Sequence, residues 1–535
     1  MTRWSEAVVS ERSEPDALLT RLAANAGVAA TAIAISEVDG ARVARQITRV
    51  DLMRRVRRIV QALNGKGFAA GDRVLFSVRP GIDAVVLVLA VHELDGVLIP
   101  QDPGTSDALF TARMELLTPR WVFAESVLLV SARGLISCML RSRGVQLAPL
   151  GAVPGARFVR VGPWLPGLPA CTSLTRLERE GLSHAGSAAT HVNGEADAEA
   201  FIVCTSGTTS APKAVVHTRR SLAAVLHAVE RELAIDASHV VYSKDLHLVL
   251  PALAAGARVL MPRSLSFRSD QTLAAWRTHG VTHAFLVTRD CRLLLDTCVA
   301  QAATVPESVQ SLMIGAAPVR AGFLARLRAV LPPQCVAWCV YGATEVLPIA
   351  RVSLEEKVAW QGDGDLVGRP IPGVEVCLDE HGQLLVRGDR LCAGYAGASP
   401  MKEYATGDLA RFDGERIVLL GRLKDMLIRG DHNIYPELYE PLVERIEGVR
   451  RAAIIGDFDA VTADERMILV VEADVGVNEA LLRDRVMREV RAGPNRLDAS
   501  AQPDQVVVRH MPESGRSNKI DKAALRAQLG ARPCV

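Results

Sequence analysis

Short apolar runs at 201–204, 258–261, 284–287, 312–314 and 336–340 recur along the chain, with stretches of helical spacing between them. One such stretch sets Leu52, Val56, Ile59, Val60 and Leu63 on a single helical face and stops at Asn64-Gly65, residues that commonly end helices. A strand pattern follows, with Val74, Phe76 and Val78 on one side, and then an apolar helix pattern over 83–94. Strands alternating with helices predict an α/β fold with mainly parallel sheets flanked by helices. The end of the chain reads differently. Strand patterns at 452–455, 467–471 and 506–508 and a helix pattern over 479–490 suggest a small α+β unit. The polar joint Gly421-Arg422-Leu423-Lys424-Asp425 precedes it. The division expected is a large N-terminal domain over 1–422 and a small C-terminal domain over 423–535.

Composition narrows the class. Hydrophobic residues make up 49% of the 535 and charged residues 23%, enough to bury a sizeable core. A formal charge of +2 gives no support to a nucleic-acid partner. No stretch reaches the roughly 18 apolar residues of a transmembrane helix. Segment 121–140 carries Glu125 and Arg133 and reads as a core strand and helix. The opening MTRWSEAVVSERSEPD lacks the apolar core of a signal peptide. Ten cysteines form no CxxC pair, and Cys335 and Cys339 lack companion metal ligands. A reduced, cytoplasmic protein is expected. Of 62 basic residues only eight are lysines: Lys66, Lys213, Lys244, Lys357, Lys402, Lys424, Lys519 and Lys522. An ammonium is a compact point charge and a guanidinium a planar fork, so a lysine kept in an arginine-rich chain draws the eye.

The densest local signal is Thr205-Ser206-Gly207-Thr208-Thr209-Ser210-Ala211-Pro212-Lys213, between a strand pattern and an expected helix. Hydroxyls and backbone N–H groups on such a loop can surround phosphate oxygens while the lysine supplies charge. The glycine spacing, and the absence of Ser or Thr after the lysine, disfavour a P-loop of the G-x-x-x-x-G-K-[ST] type.

This loop resembles the phosphate-binding signature of the acyl-adenylate-forming superfamily of acyl-CoA synthetases and related AMP-dependent ligases, with Ser210 and Ala214 where that pattern has glycine. Further resemblances follow in the same order as in that superfamily. Gly315-Ala316-Ala317-Pro318 is similar to the segment running along adenine, and Tyr341-Gly342-Ala343-Thr344-Glu345 to the YGxTE signature. Val367-Gly368-Arg369-Pro370 and Ile371-Pro372-Gly373 resemble a structural turn, and Gly388 and Gly394-Tyr395 continue the series. Thr406-Gly407-Asp408 matches TGD, Gly421–Asp425 the hinge, and Ser517-Asn518-Lys519-Ile520-Asp521 the C-terminal SGKID element, with Asn518 in place of glycine.

The resemblance covers about Thr48 to Leu525 and implies ATP and Mg²⁺ as cofactors and a small-molecule carboxylic acid as substrate. It implies that Thr205, Ser206, Gly207, Thr208, Thr209 and Lys213 hold phosphates, that Tyr341 and Gly342 flank adenine, and that Thr344 contacts phosphate. Glu345 would hold the metal, Asp408 the ribose hydroxyls and Arg422 the nucleotide. Lys424 would be the hinge, and Lys519 would reach both the acid and the α-phosphate. A hard cation favours carboxylate and phosphate oxygen together, and Asp408 as a carboxylate suits hydroxyl donors. His247, in Asp245-Leu246-His247, is a candidate acid-pocket residue, and Leu347-Pro348-Ile349 suggest an apolar wall and hence a fatty or other hydrophobic acid.

CoA is the expected acceptor, approaching along Arg429–Ile434. Asp431 stands where relatives often have glycine, and Leu438 where they often have glutamate, while Glu440 keeps a second one. Two acceptors compete with CoA. YGATEVLP at 341–348 resembles the β-lactone synthetases, which close a 3-hydroxy acid on itself; the other is a carrier-protein thiol. A non-catalytic nucleotide- or acyl-binding relative is the alternative class, and Lys519, Glu345 and Asp408 together argue against it.

Overall fold

The computed structural model describes residues 17–130, 147–183, 195–205, 213–429, 432–459, 464–498, 501–514 and 519–531. Among them lie a thirteen-stranded and an eight-stranded sheet. The middle of the larger sheet is parallel, with Val336–Ala343, Ser311–Gly315, His283–Val287, Val240–Tyr242, Arg258–Pro262 and Ile33–Asp39 side by side. Four of these strands match the apolar runs at 258–261, 284–287, 312–314 and 336–340, whereas Val240–Tyr242 and Ile33–Asp39 do not, and the run at 201–204 lies in the smaller sheet; helices link the successive strands from Val240 to Ala343. From Val346 onward the pairings of this sheet are antiparallel, and the six-residue helix Leu354–Ala359 between the first two of these strands is too short for a parallel crossover. The 367–370 segment, expected as a turn, lies instead in strand Asp365–Pro370, where a register shift requires glycine. Gly368 has φ +89, and a Cβ there would lie 1.9 Å from the Arg351 carbonyl oxygen.

A helical layer separates the sheets. Leu52, Val56, Ile59 and Leu63 of helix Arg49–Gly65 and Val85 to Val91 of helix Ile82–Glu93 are buried. They share one core with Val74, Phe76 and Trp121 of the smaller sheet and Val241, Val259 and Met261 of the larger. Each large side chain so buried contributes of order 1.5–3 kcal/mol. Strand Arg73–Ser77 is apolar on both faces: Val74, Leu75 and Phe76 are all buried. The one-sided pattern read for it was therefore incomplete, as expected of a strand covered by helices on both sides. Thr48 caps the first of these helices, accepting the Asp51 N–H at 3.2 Å.

Lys213 corrects a further expectation. It opens an antiparallel strand, Lys213–Thr218, paired with Glu199–Thr205, and the helix begins only at Arg219. The β-branched Val215, Val216 and Thr218 fit a pleated strand better than a helix. Ala214 carries no positive φ, so alanine is unstrained at this position.

Residues beyond Arg422 build their own structure. Strands Val449–Asp459, Asp464–Ala473 and Gln505–Val508 form a three-stranded sheet, against which helix Glu479–Ala492 packs Leu482, Val486 and Val490. Both cores in this region draw only on residues from Leu427 onward. A two-stranded hairpin, Glu513–Ser514 with Lys519–Ile520, carries Lys519 back toward the larger lobe.

Candidate active site

Two cavities that share walls open between the lobes, of about 1700 and 1150 Å³. Lys213, His247, Thr344 and Glu345 line the first together with Lys519, Arg422 and Lys424. Gly315, Ala316, Ala317, Pro318, Tyr341 and Asp408 line the second, again with Lys519, Arg422, Lys424 and His247. Gly342 faces both. Residues as far apart in the chain as Lys213 and Lys519 are thus brought to one cleft. Ser206, Gly207, Thr208 and Thr209 lie outside the described residues, as does the side chain of Thr205.

Three groups form a chain in the wall of the second cavity. Tyr341 Oη donates to Asp408 Oδ2 at 2.5 Å, and Arg422 Nε lies 2.8 Å from Asp408 Oδ1. Asp408 is buried within strand Tyr404–Asp413, where its N–H donates to Thr406 Oγ1 at 3.0 Å. Burial and the adjacent Asp408 carboxylate hold the Tyr341 phenol well above its usual value. Burial pulls Arg422 down, but Asp408 and Glu437 outweigh it and the net direction is up.

Glu345 sits in the two-residue connection between strands Val336–Ala343 and Val346–Ser353. Its carboxylate is buried, and Tyr395 Oη donates to Oε1 at 2.8 Å. Burial and this carboxylate raise the Tyr395 and Tyr404 phenols. The Lys213 ammonium lies 5.5 Å from the centre of the Tyr395 ring, within cation–π range. Behind the turn, the buried His217 brings Nε2 to 2.8 Å from the Thr344 carbonyl oxygen. Burial lowers the His217 pKa, against the opposing pull of Thr344 and Glu345.

Lys519 is exposed to the cleft. Burial by the surrounding lobes and then the neighbouring Arg422 lower its pKa, while Asp408 and Glu437 oppose them. Glu437, on helix Pro436–Val443, is raised by burial and by Glu440, with Lys522 opposing. His247 stacks edge-on to Phe285, ring centres 4.9 Å apart at 85°, and burial lowers its pKa against Asp245. His217, Tyr404, Phe285 and Glu437 carried no signal in the sequence. A lone histidine or aromatic on an apolar strand is ordinarily core, and only the fold turns these four toward the cleft.

Such a cleft, with cations from both lobes around the buried carboxylates Glu345 and Asp408, is suited to holding a small anionic ligand between the lobes. This chain belongs to the AMP-binding enzyme family, which it matches over residues 22–396.

The 2-succinylbenzoate–CoA ligase of Staphylococcus epidermidis is 28% identical over 284 residues, which are 49% of this chain and 57% of that protein. The chain therefore spans little more than half the length of that curated relative. The salicyl-AMP ligase / salicyl-S-ArCP synthetase of Mycobacterium tuberculosis is 25% identical over 519 residues, covering 90% of this chain and 85% of the relative. The solved O-succinylbenzoate coenzyme A synthetase of Bacillus subtilis, in complex with ATP and magnesium ion, shares the fold at a TM-score of 0.71, with 19% identity and 95% and 99% of the two chains covered. Among the described residues no helix is long and apolar enough to cross a membrane.

Proposed function

We propose that the protein activates an aromatic carboxylic acid with ATP, forming the acyl-adenylate and pyrophosphate, and then passes the acyl group to the thiol of CoA. The observation that carries this reading is the meeting of Lys213, Thr344 and Glu345 of the larger lobe with Lys519 of the smaller on one cavity.

In the proposed step an oxygen of the acid carboxylate attacks the α-phosphorus. The bond from that phosphorus to the bridging oxygen breaks, and pyrophosphate leaves with the electron pair. No proton moves, because the nucleophile is already ionised. Two anions approach one another, so the site must offset their repulsion. Lys519 at the junction of the cavities and Lys213 beside Tyr395 supply cationic charge in place before reaction, the most effective form of electrostatic assistance. Asp408 is suited to accept from ribose hydroxyls, and the 315–318 segment with Tyr341 to flank the base.

The buried Glu345 carboxylate accepts from Tyr395 and is also hydrogen-bonded by Tyr404; its two oxygens carry about four lone-pair sites, so it keeps capacity for a magnesium ion coordinated mainly by phosphates and water. Among the described residues no cluster of three or more metal-ligating side chains exists, which suits a cation arriving with the nucleotide. Bound there, it would neutralise phosphate charge.

The acid pocket is read from Leu222, Leu226, His247, Phe285 and Leu347, which line the first cavity. The edge-on His247–Phe285 pair adds aromatic, mostly apolar surface to this wall. The relatives named above are named for succinylbenzoate and salicylate, so the expectation of a fatty acid narrows to an aromatic one. Transfer to a carrier-protein thiol is the second reading, favoured by the relative that matches 90% of this chain.

The test is a panel of ortho-substituted benzoates, other aryl acids, fatty acids and 3-hydroxy acids, scored by pyrophosphate release with CoA, with a carrier protein and with no thiol. Fastest turnover on an aryl acid, with AMP release dependent on CoA, is expected. Turnover confined to fatty acids, or full-rate AMP release without thiol, contradicts the reading.

A further inference from the structure

We infer that His217 is a positioning residue that locks the Thr344–Glu345 turn against the strand carrying Lys213; this inference rests on the adenylation reading above. The argument begins with backbone accounting. Ala343 pairs with Val346 across the hairpin, so Thr344 and Glu345 are the two connecting residues, and their carbonyls fall outside the ladder. A buried carbonyl left without a donor is costly.

Both carbonyls are met from outside the hairpin. The Cys392 N–H donates to the Glu345 carbonyl at 2.9 Å, and His217 Nε2 lies 2.8 Å from the Thr344 carbonyl. A carbonyl oxygen only accepts, so Nε2 carries the proton. In the neutral ring the other nitrogen, Nδ1, is an acceptor. It faces Ser221 Oγ at 3.3 Å, in the first turn of helix Arg219–Glu232. Ser221 is itself fixed by the cap, since Thr218 N–H donates to its Oγ at 3.0 Å and Ser221 N–H to Thr218 Oγ1 at 3.1 Å.

His217 is four residues after Lys213 on the same strand, and strand alternation puts 213, 215 and 217 on one face. One rigid strand therefore presents the cation that faces phosphate and the ring that holds the turn bearing Glu345. The consequence is specific. Without the Nε2–H bond the turn is free to reorient, and the Glu345 carboxylate no longer keeps a fixed relation to Lys213. Metal-assisted binding of ATP suffers, while the acid pocket, walled by Leu222, Leu226 and Phe285, does not.

The experiment compares wild type with His217→Leu and His217→Gln, whose amide can still donate to the carbonyl. ATP affinity is measured with and without Mg²⁺ by calorimetry, and exchange kinetics are measured with the preferred acid. His217→Leu is expected to lose most of the Mg²⁺-dependent tightening of ATP binding and to raise the KM for MgATP about tenfold, with the KM for the acid unchanged. His217→Gln is expected to recover most of both. If His217→Leu does not fold, His217→Asn replaces it, its amide being too short to reach. Equal tightening in wild type and the Leu or Asn variant, or equal losses in that variant and His217→Gln, overturns the inference. A wild type that shows no Mg²⁺-dependent ATP binding overturns the adenylation reading instead.

Discussion

Lys519 concentrates the chemical proposal in a single side chain. It lies on a short hairpin of the smaller lobe, facing Arg422 and Asp408 of the larger. Lys519→Ala is expected to lower acid-dependent pyrophosphate exchange by roughly 10²–10³-fold or more, the scale of losing one preorganised charge or donor, with ATP affinity in calorimetry changed only modestly. Unchanged exchange would remove Lys519 from the mechanism. Ala316 makes a different case. It has φ 69, a left-handed conformation, in the segment facing both cavities. Ala316→Val should destabilise the larger lobe by about 1–3 kcal/mol, read by chemical denaturation, because a β-branched side chain is strained there. The sequence disclosed the types of these residues and their order along the chain. It did not disclose that Tyr341, Asp408 and Arg422 form one hydrogen-bonded chain, since the three lie on three different strands and the local sequence of each names no partner.

At the scale of elements, the strand His283–Val287 shows how burial becomes pH dependence. His283 is 4% exposed, with Nε2 3.1 Å from the Leu233 carbonyl oxygen and its ring 4.4 Å from that of His239. Burial, reinforced by His239, lowers its pKa to about 4. The unfolded chain, near 6.5, binds more protons than the folded one between these values. Stability therefore falls as pH drops from about 6.5 to about 4, and the loss is complete below that window. At pH 5 the loss is about 2 kcal/mol relative to pH 7. Denaturation curves at the two pH values should show this loss, and His283→Gln should show much less of it.

Element order was readable for a physical reason. Helices and parallel strands buried by their neighbours impose long apolar runs, and those runs survive in the sequence. The strand after Lys213 was misread because a six-residue segment is too short for periodicity to separate strand from helix.

For the whole molecule, the relation of the lobes is the quantity to perturb. Arg320 of the larger lobe and Glu444 of the smaller lie 3.6 Å apart across the cleft. Burial of Arg320 is outweighed by Glu444 and other acidic neighbours, which raise its pKa. With Lys424 proposed as a hinge, the small lobe is free to turn away after adenylation, and this pair favours the arrangement with Lys519 in the cleft. Arg320→Ala and Glu444→Gln should each slow the adenylation half-reaction a few-fold, about 1 kcal/mol in coupling, and slow thiol transfer less. The double variant should be no worse than either single one, as a double-mutant cycle in rapid-quench kinetics would report.

What the sequence determined by itself was the alternation of buried elements and an ordered series of short polar segments on which the chemistry is proposed to lie. These follow from local rules, in which apolar spacing sets elements and short polar segments interrupt them. Tertiary structure alone decided which loops share a cavity, that His217 and Tyr395 support the turn at Glu345, and that Lys519 crosses from one lobe to the other. Those facts depend on distances between residues far apart in the chain, which emerge only when the two sheets, the helical layer between them and the small lobe have packed.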